Sequence, residues 1–387
     1  MAERVSEMVM RWPDRESRGT VPLMQNGNHE ASGARQSTQH VPRRVLITGG
    51  AGFIGSHLAE LLLLRGDHVT VIDNLSTGVR ANLAAAGQIA VAGPSGAGSD
   101  SLRFIEADLS STMAAFGPGD LFDEIFHLAA AVGVKLVVND PIGCIETNII
   151  GTTNLLRFAQ THGPDGGPAP TLIASSSEVY GKSDKIPFSE DDDVVYGPTT
   201  RSRWSYAASK AVDEYLAIAH HDKNGLPAVI ARFFNTIGPR QVGAYGMVLP
   251  TFVNAAISCE DLPIYGDGQQ VRCLCDVRDV VEVLPRLLAT RACHGRVFNI
   301  GSDRPLTIEH LADLVIRTLG SSSGKKFIPY DTAYGHGFED LRRRVPDLSR
   351  IRTAIGFHPL ISLEQTIRDI AATLQPETVH TSTVVRS

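Results

Sequence analysis

From Arg44 onward the chain alternates short apolar runs with longer amphipathic stretches. Arg44-Val45-Leu46-Ile47-Thr48 is too short for a helix and suits a strand buried on both faces. Ser56 to Arg65 follows with Leu58, Leu61 and Leu62 on one helical face, and Val69-Thr70-Val71-Ile72-Asp73 is a second run of strand type. Leu102 to Leu109 and Glu124 to Ala130 repeat the theme, Ile145 to Gln160 reads as a helix, and Thr171-Leu172-Ile173-Ala174 as a further strand. Ser209 to Ala219 has helical composition, and Arg296-Val297-Phe298-Asn299-Ile300-Gly301 is expected to return as a strand to the main sheet. Strands and helices in this alternation predict an α/β protein with a doubly wound parallel sheet. The Ala/Gly-rich stretch from Ala81 to Ala97 and the Gly/Pro-rich stretch from His162 to Pro170 are expected to be loops.

Composition narrows the class of function. The 387 residues carry a net charge of -6, with a pI near 6.1, so no global basic field invites nucleic acid or anionic lipid. A hydrophobic fraction of 43% is ample for a core, and a small-molecule enzyme is the better expectation. No apolar run reaches the ~18 residues a bilayer span needs. Cysteines at 144, 259, 273, 275 and 293 lack paired C-x-x-C spacing, so buried free thiols in a reducing, cytoplasmic compartment are expected and no metal site is. The N-terminal 41 residues have no apolar core of a signal peptide and are expected to be a disordered extension.

The first turn of the pattern carries the clearest chemistry. Between the first strand and first helix stands Gly49-Gly50-Ala51-Gly52-Phe53-Ile54-Gly55, which satisfies both G-x-G-x-x-G and G-x-x-G-x-x-G. Such glycines permit a tight turn and close backbone approach, so that a pyrophosphate sits on the helix N-terminus. Asp73 closes the second strand where a ribose-binding acid is expected, and it would repel a 2'-phosphate, which favours NAD over NADP. Asp108, near the end of the third strand, is placed to reach the adenine, and Leu128, Ala129 and Ala130 let the cofactor lie against the backbone. His127, in an apolar strand, reads as a packed core histidine, and His220-His221 as an exposed helix end.

Ser175-Ser176-Ser177-Glu178-Val179-Tyr180-Gly181 and Trp204-Ser205-Tyr206-Ala207-Ala208-Ser209-Lys210 carry the second piece of chemistry. Tyr206 and Lys210 are one helical turn apart on one face. An ammonium beside a phenol favours the phenolate, which makes Tyr206 a general base, and Ser176 or a neighbour would hold the hydroxyl it deprotonates. Y-x-x-x-K taken alone also fits an ordinary amphipathic helix.

Jointly, the glycine loop, Asp73, Ser176 and Tyr206-x-x-x-Lys210 resemble the extended short-chain dehydrogenase/reductases that act on nucleotide sugars, over Val45 to about Leu374. The resemblance implies a Rossmann sheet over 42–234, with the strand near 296–301 returning to it, and a smaller C-terminal substrate-binding lobe over 235–374. Residues 375–387 are expected to be a tail and the Gly-rich stretch from Tyr330 to Glu339 a mobile segment closing over the site, and the resemblance implies a homodimer through two long helices. Contacts to NAD are implied for Gly49, Gly52, Phe53, Ile54, Gly55, Asp73, Asn74, Asp108, Leu109, Leu128, Ala129, Ala130, Tyr206 and Lys210. Phe233-Phe234-Asn235-Thr236-Ile237-Gly238-Pro239-Arg240 is similar to the family's nucleotide-sugar signature, which puts Asn235 and Arg240 on the substrate. Tyr265-Gly266-Asp267-Gly268 with Arg272 resembles its uracil and phosphate segment.

Three stretches separate the branches of that family. Ser176-Ser177-Glu178-Val179-Tyr180-Gly181 resembles the Thr-Ser-Glu-Val-Tyr-Gly of UDP-glucuronate decarboxylases, and Arg203-Trp204-Ser205-Tyr206 the Arg-Trp-x-Tyr of those that make a 4-keto pentose. Arg342-Arg343-Arg344-Val345-Pro346-Asp347 is similar to their Arg-Lys-Pro segment, with Val345 in place of the usual Lys, and aligns Arg344 with the arginine that faces the substrate carboxylate. A 4,6-dehydratase would carry an Asp-Glu pair where Ser177-Glu178 stands. The resemblance thus implies oxidative decarboxylation of UDP-glucuronate, with Ser176, Ser177, Glu178, Tyr206, Lys210 and Arg344 as catalytic residues. A UDP-hexose or UDP-hexuronate 4-epimerase is the main alternative, ahead of a dehydratase or a non-catalytic NAD-sensing protein.

Overall fold

The computed structural model describes residues 41–92, 101–133, 137, 139–243, 247–330, 332 and 342–374. Nearly all of the expected extension, the C-terminal tail, positions 93–97 and most of the Tyr330–Glu339 segment lie outside the described residues.

Seven strands form the main sheet: β1 (Arg44–Thr48), β2 (His68–Asp73), β3 (Leu102–Glu106), β4 (Glu124–His127), β5 (Thr171–Ser176), β6 (Ala228–Phe233) and β7 (Arg296–Ile300). Their order is β7-β6-β5-β4-β1-β2-β3, and every pairing is parallel. The longer helices are α1 (Phe53–Arg65), α2 (Ala84–Ala92), α3 (Pro141–Ala159), α4 (Ser205–Asn224), α5 (Val248–Ile257), α6 (Val277–Ala289), α7 (Ile308–Leu319) and α8 (Leu363–Leu374). Successive side chains of a strand point to opposite faces. Along β1, Val45 and Ile47 accordingly join one core with Leu58, Leu62 and Leu284, while Leu46 joins another with Leu155, Leu156 and Ile230. Helices cover both faces, which is why the strands read as continuous apolar runs.

Strand order reverses between β1 and β4, and parallel sheets of this kind bind ligands at that crevice, beyond the carboxyl ends of the strands. Register brings the ends level: Thr48 pairs with both Ile72 and His127, and Ser176 pairs with Phe233. The glycine turn, Leu128, Ser176 and Asn235 therefore all emerge on one edge.

The C-terminal lobe has its own core, in which Phe252, Leu262, Ile264, Leu311, Val315, Ile367 and Ile370 meet. Its strand Val271–Cys273 lies between Pro305–Thr307 and Arg343–Arg344, and Leu262–Tyr265 pairs with Lys325–Ile328. Between these, Arg296–Ile300 returns to the main sheet beside β6.

Several boundaries differ from the sequence reading. The stretch expected as a loop from Ala81 is a 3-10 turn followed by α2, whose Ala86 and Ala90 pack in the same core as α1. Alanine is the best helix former, and its small side chain fits this close contact. β3 ends at Glu106, because Leu109–Thr112 forms a short helix in which the Asp108 carbonyl accepts from Thr112 N at 3.1 Å. β4 stops at His127. α3 starts at Pro141, capped by Asp140, whose carboxylate accepts from Gly143 N at 2.9 Å. α4 begins at Ser205, so Tyr206 lies inside its first turn.

Candidate active site

The turn after β1 is shaped by what a side chain would strike. Gly49 has φ +73° and a Cβ there would lie 2.6 Å from Ala129 N, while a Cβ on Gly55 would lie 2.3 Å from Gly49 O. Only glycine lets the turn close under α1 and against the end of β4. No side chain caps α1, so the N–H groups of Phe53, Ile54 and Gly55 open its first turn as the helix's anion-favouring end. Asp73 is buried, and its carboxylate accepts from Ala51 N at 2.9 Å and Leu75 N at 2.8 Å. Burial raises its pKa against those bonds. A carboxylate has about four lone-pair sites, so lone pairs remain for ribose hydroxyls. Asn74 Nδ2 donates to Asp108 at 3.4 Å, and Leu128 N donates to Thr48 O at 3.0 Å. Leu109, Ala129 and Ala130 are half-buried along the same edge. A diphosphate cradle followed by a ribose acid fits NAD.

Tyr206 is buried against Val137 and Cys144. Its hydroxyl bonds to Ser176, whose Oγ also accepts from Glu178 N at 3.2 Å as the cap of the 3-10 turn Ser177–Tyr180. Burial first, and then the Glu178 charge, push the Tyr206 phenol up, partly offset by the Ser176 bond. Lys210 Nζ instead donates to Asp213 Oδ2 at 2.7 Å, in a pair whose side chains are 2% and 0% exposed. Asp213 stands three residues on, on the same helical face, and takes the ammonium that the sequence reading gave to the phenol.

Glu178 sits between two guanidiniums. Arg203 Nη1 is 2.7 Å from Glu178 Oε2, and Arg344 Nη1 contacts Glu178 Oε1. Burial disfavours the carboxylate, but Arg344 and Arg203 outweigh it and pull it down to about 2. Glu178 is thus an anion at neutral pH, and two guanidiniums meet it beside Ser176 and Tyr206. Ser177 is buried at the start of the same turn.

Backbone knitting brings Arg344 in. Phe188 N donates to Val345 O and Asp347 N to Phe188 O, both at 2.8 Å. Asn299 of β7 joins three segments: its Nδ2 donates to Phe188 O at 2.9 Å and Asp347 O at 3.2 Å, and its Oδ1 accepts from Tyr180 OH at 2.7 Å.

The residues expected on the substrate scatter more. Asn235 Nδ2 donates to Cys273 O at 3.4 Å, Tyr265 O accepts from Gln270 at 3.0 Å, and Arg272 is buried with Nη1 donating to Val271 O at 3.0 Å. These three line the lobe strands. Arg240 does not join them: at φ +70° it pairs with Glu60 of α1 at 2.6 and 3.0 Å and donates to Asn82 O at 2.9 Å. It ties the lobe to the cofactor turn, because Asn82 Nδ2 in turn donates to Ala51 O at 2.8 Å.

Sequence reasoning quoted Arg203 only within a motif and missed Asp213. An acid at i+3 from Lys210 was the available signal for the second; the first needed the fold. His127 is buried and neutral, its pKa lowered by burial to about 3. His220 and His221 are half-buried at the end of α4, where His221 Nδ1 lies 2.8 Å from Leu226 O. Cysteines 144, 273, 275 and 293 are buried free thiols, whereas Cys259 is exposed. Among the described residues no cluster of three or more His, Cys, Asp or Glu could hold a metal, and no helix is long and apolar enough to cross a membrane.

Comparison with known proteins places this geometry. The model of the NAD dependent epimerase/dehydratase family matches residues 45–301. The chain is 39% identical to a UDP-N-acetyl-alpha-D-glucosaminuronate decarboxylase of Bacillus cytotoxicus, over 84% of this chain and 96% of that one. It is 32% identical to UDP-glucuronic acid decarboxylase 1 of Xenopus tropicalis, over 84% and 70%. Among solved structures, the Thermus thermophilus UDP-glucose 4-epimerase in complex with NAD superimposes with a TM-score of 0.69 at 30% identity, over 86% of this chain and 98% of that one.

Proposed function

This chain belongs to the NAD dependent epimerase/dehydratase family, and we propose that it decarboxylates UDP-glucuronate through a C4-keto intermediate, giving a UDP-4-keto-pentose, UDP-xylose or both. One observation carries the reading: the Arg203–Glu178–Arg344 cluster, which brings two guanidiniums to one carboxylate, adjoins the Ser176–Tyr206 hydroxyl pair. A 4-epimerase acting on uncharged hexoses has no use for a carboxylate-binding charge at that point.

NAD is the cofactor, and when bound it supplies the two-electron acceptor for the sugar C4–H bond. The Gly49–Gly55 turn would hold its pyrophosphate and Asp73 its ribose hydroxyls. Tyr206 takes the proton of the C4 hydroxyl as phenolate, the form that the Ser176 bond favours against burial and Glu178, with Ser176 holding the oxygen. Oxidation at C4 makes a β-keto acid. The C5–C6 bond then breaks, its electron pair runs to the C4 oxygen as an enolate, and carbon dioxide leaves. Ser176 and the now protonated Tyr206 donate to that oxyanion. Arg344 and Arg203 hold the C6 carboxylate in place before it departs. Glu178, with Ser177, positions the sugar or a water for reprotonation at C5; ionised down to about pH 2, Glu178 is not itself the proton source.

A second reading, UDP-N-acetylglucosaminuronate as the substrate, is favoured by the Bacillus relative matched over 96% of its length. A homodimer through α3 and α4 is supported by the apolar Ile142, Ile150, Val212 and Tyr215 that these helices expose, and a cytoplasmic location by the free thiols. Incubation with the two uronates and with UDP-glucose and UDP-galactose tests the function. Loss of ~44 Da, the mass of carbon dioxide, from a uronate alone is expected. Interconversion of gluco and galacto sugars without mass loss would instead make the protein an epimerase.

A further inference from the structure

Beneath Tyr206 runs a buried polar chain with no part in the proposed reaction. Lys210 Nζ donates to Asp213 Oδ2 at 2.7 Å, Asp213 Oδ1 is buried with no hydrogen-bond partner, and Thr152 of α3 lies near enough to lower the Asp213 pKa. Thr152 Oγ1 is 3.0 Å from His127 Nε2, and His127 Nδ1 is 2.7 Å from Thr48 Oγ1. The residues come from α4, α3, β4 and β1, none is more than 2% exposed, and Thr48 immediately precedes Gly49 of the cofactor turn. An unsatisfied group this deep is costly, and the unpartnered Asp213 oxygen leaves the Lys210 contact as the carboxylate's main compensation. Asp213 is the only acid in it, and it faces the lysine that shares a helical face with Tyr206.

We propose that Asp213 is a positioning residue that holds the Lys210 ammonium as a compensated charge and so sets how much of that charge Tyr206 feels. This rests on Tyr206 being the base of the proposed reaction. Other charged groups face the pair from the packed elements: Glu178 on the 3-10 turn with Arg203 and Arg344 around it, Cys144 on α3, His127 on β4, and Glu214 on α4 held by Arg232 of β6. Glu178 stays ionised down to about 2, His127 stays neutral down to about 3, and burial raises the Cys144 thiol. Their charges are therefore constant across weakly acidic and neutral pH, and a change there reports on Lys210, Asp213 and Tyr206. Asp213 raises the phenol directly and also spends the ammonium, so its removal has one sign: the phenolate becomes easier to form.

The test is a tyrosinate difference-absorbance titration of the full chain with NAD bound, for the native protein and for Asp213→Asn. Each is referenced to its own Tyr206→Phe counterpart, so that only this phenol is read. Asp213→Asn is expected to ionise about one pH unit lower, a tenfold rise in phenolate below the midpoint. The acid limb of kcat/KM with UDP-glucuronate is expected to move by the same amount. Asp213→Glu keeps the charge and is expected to titrate like the native protein. A phenol in Asp213→Asn that ionises no earlier than the native one overturns the proposal, and so does an equal shift in Asp213→Glu, which would assign the effect to packing. Should Asp213→Asn not fold, Asp213→Ser is read by the same criteria. Absence of turnover with any uronate would sink the decarboxylase reading, while the absorbance arm would still decide the role of Asp213.

Discussion

Tyr206 has an ionic cluster on each side, and the two are built to different rules. Toward the lobe, Arg203, Glu178 and Arg344 keep side chains 11–13% exposed and bring two guanidiniums to one carboxylate. Toward the sheet, Lys210 and Asp213 are 2% and 0% exposed and balance each other. Guanidiniums that keep some exposure at the edge of a crevice can turn to an incoming anion. A balanced pair in the interior recruits nothing and acts on its neighbour only through the field it does not cancel. The lobe-side cluster thus suits recognition of a carboxylate, and the sheet-side pair suits control of a proton.

Substitutions should separate these roles. Tyr206→Phe removes the group between the clusters and is expected to lower kcat by roughly 10²- to 10⁴-fold while leaving NAD binding intact, checked by steady-state kinetics and cofactor titration. Arg344→Gln removes a guanidinium from the cluster and should lower kcat/KM for a uronate by roughly 10²-fold, while the less compensated Glu178 should raise the phenol rather than lower it as Asp213→Asn does. If Arg344→Gln and Asp213→Asn shifted kcat/KM and the phenol titration alike, the division of labour would be wrong. Asn299→Ala, which unties the Glu178 turn from the Arg344 segment without touching either charge, should cost about 1–3 kcal/mol in denaturant unfolding, and its kinetic loss should resemble that of Arg344→Gln in kind but be smaller. The mildest effect is on acid stability. The folded-state pKa of Glu178 is depressed from 4.5 to about 2, so its contribution is complete above about 4.5 and is lost as pH falls toward 2. Glu178→Gln should flatten the acid unfolding curve in that window, as followed by circular dichroism.

Much of this was legible in the chain before the fold. β1, the glycine turn, α1 and β2 are local, and each residue there answers to a short-range rule: apolar run, tight turn, helical period, terminal acid. Ser176 and Tyr206 were legible as chemistry because their neighbours are characteristic. What escaped was decided by distance or by competition. Arg203, Glu178 and Arg344 lie on three separate segments, and their convergence depends on the pairing of Phe188 with Val345 and Asp347. Arg240 stands in a stretch resembling a sugar-binding signature, yet its left-handed backbone turns it to Glu60. Lys210 had two partners within one helical turn, and periodicity cannot say which the ammonium prefers; burial of Asp213 decides it. The Ala/Gly-rich stretch was misjudged because glycine as a breaker weighed more than alanine as a helix former.

The most direct measurement follows the carboxyl carbon itself. With UDP-glucuronate labelled with ¹³C at C6 and the full chain supplied with NAD, nuclear magnetic resonance should show the label leaving the sugar and collecting as carbon dioxide and bicarbonate, while a UDP-pentose or its 4-keto form appears. Label that stays on a hexuronate, whether unchanged or inverted at C4, would contradict the account.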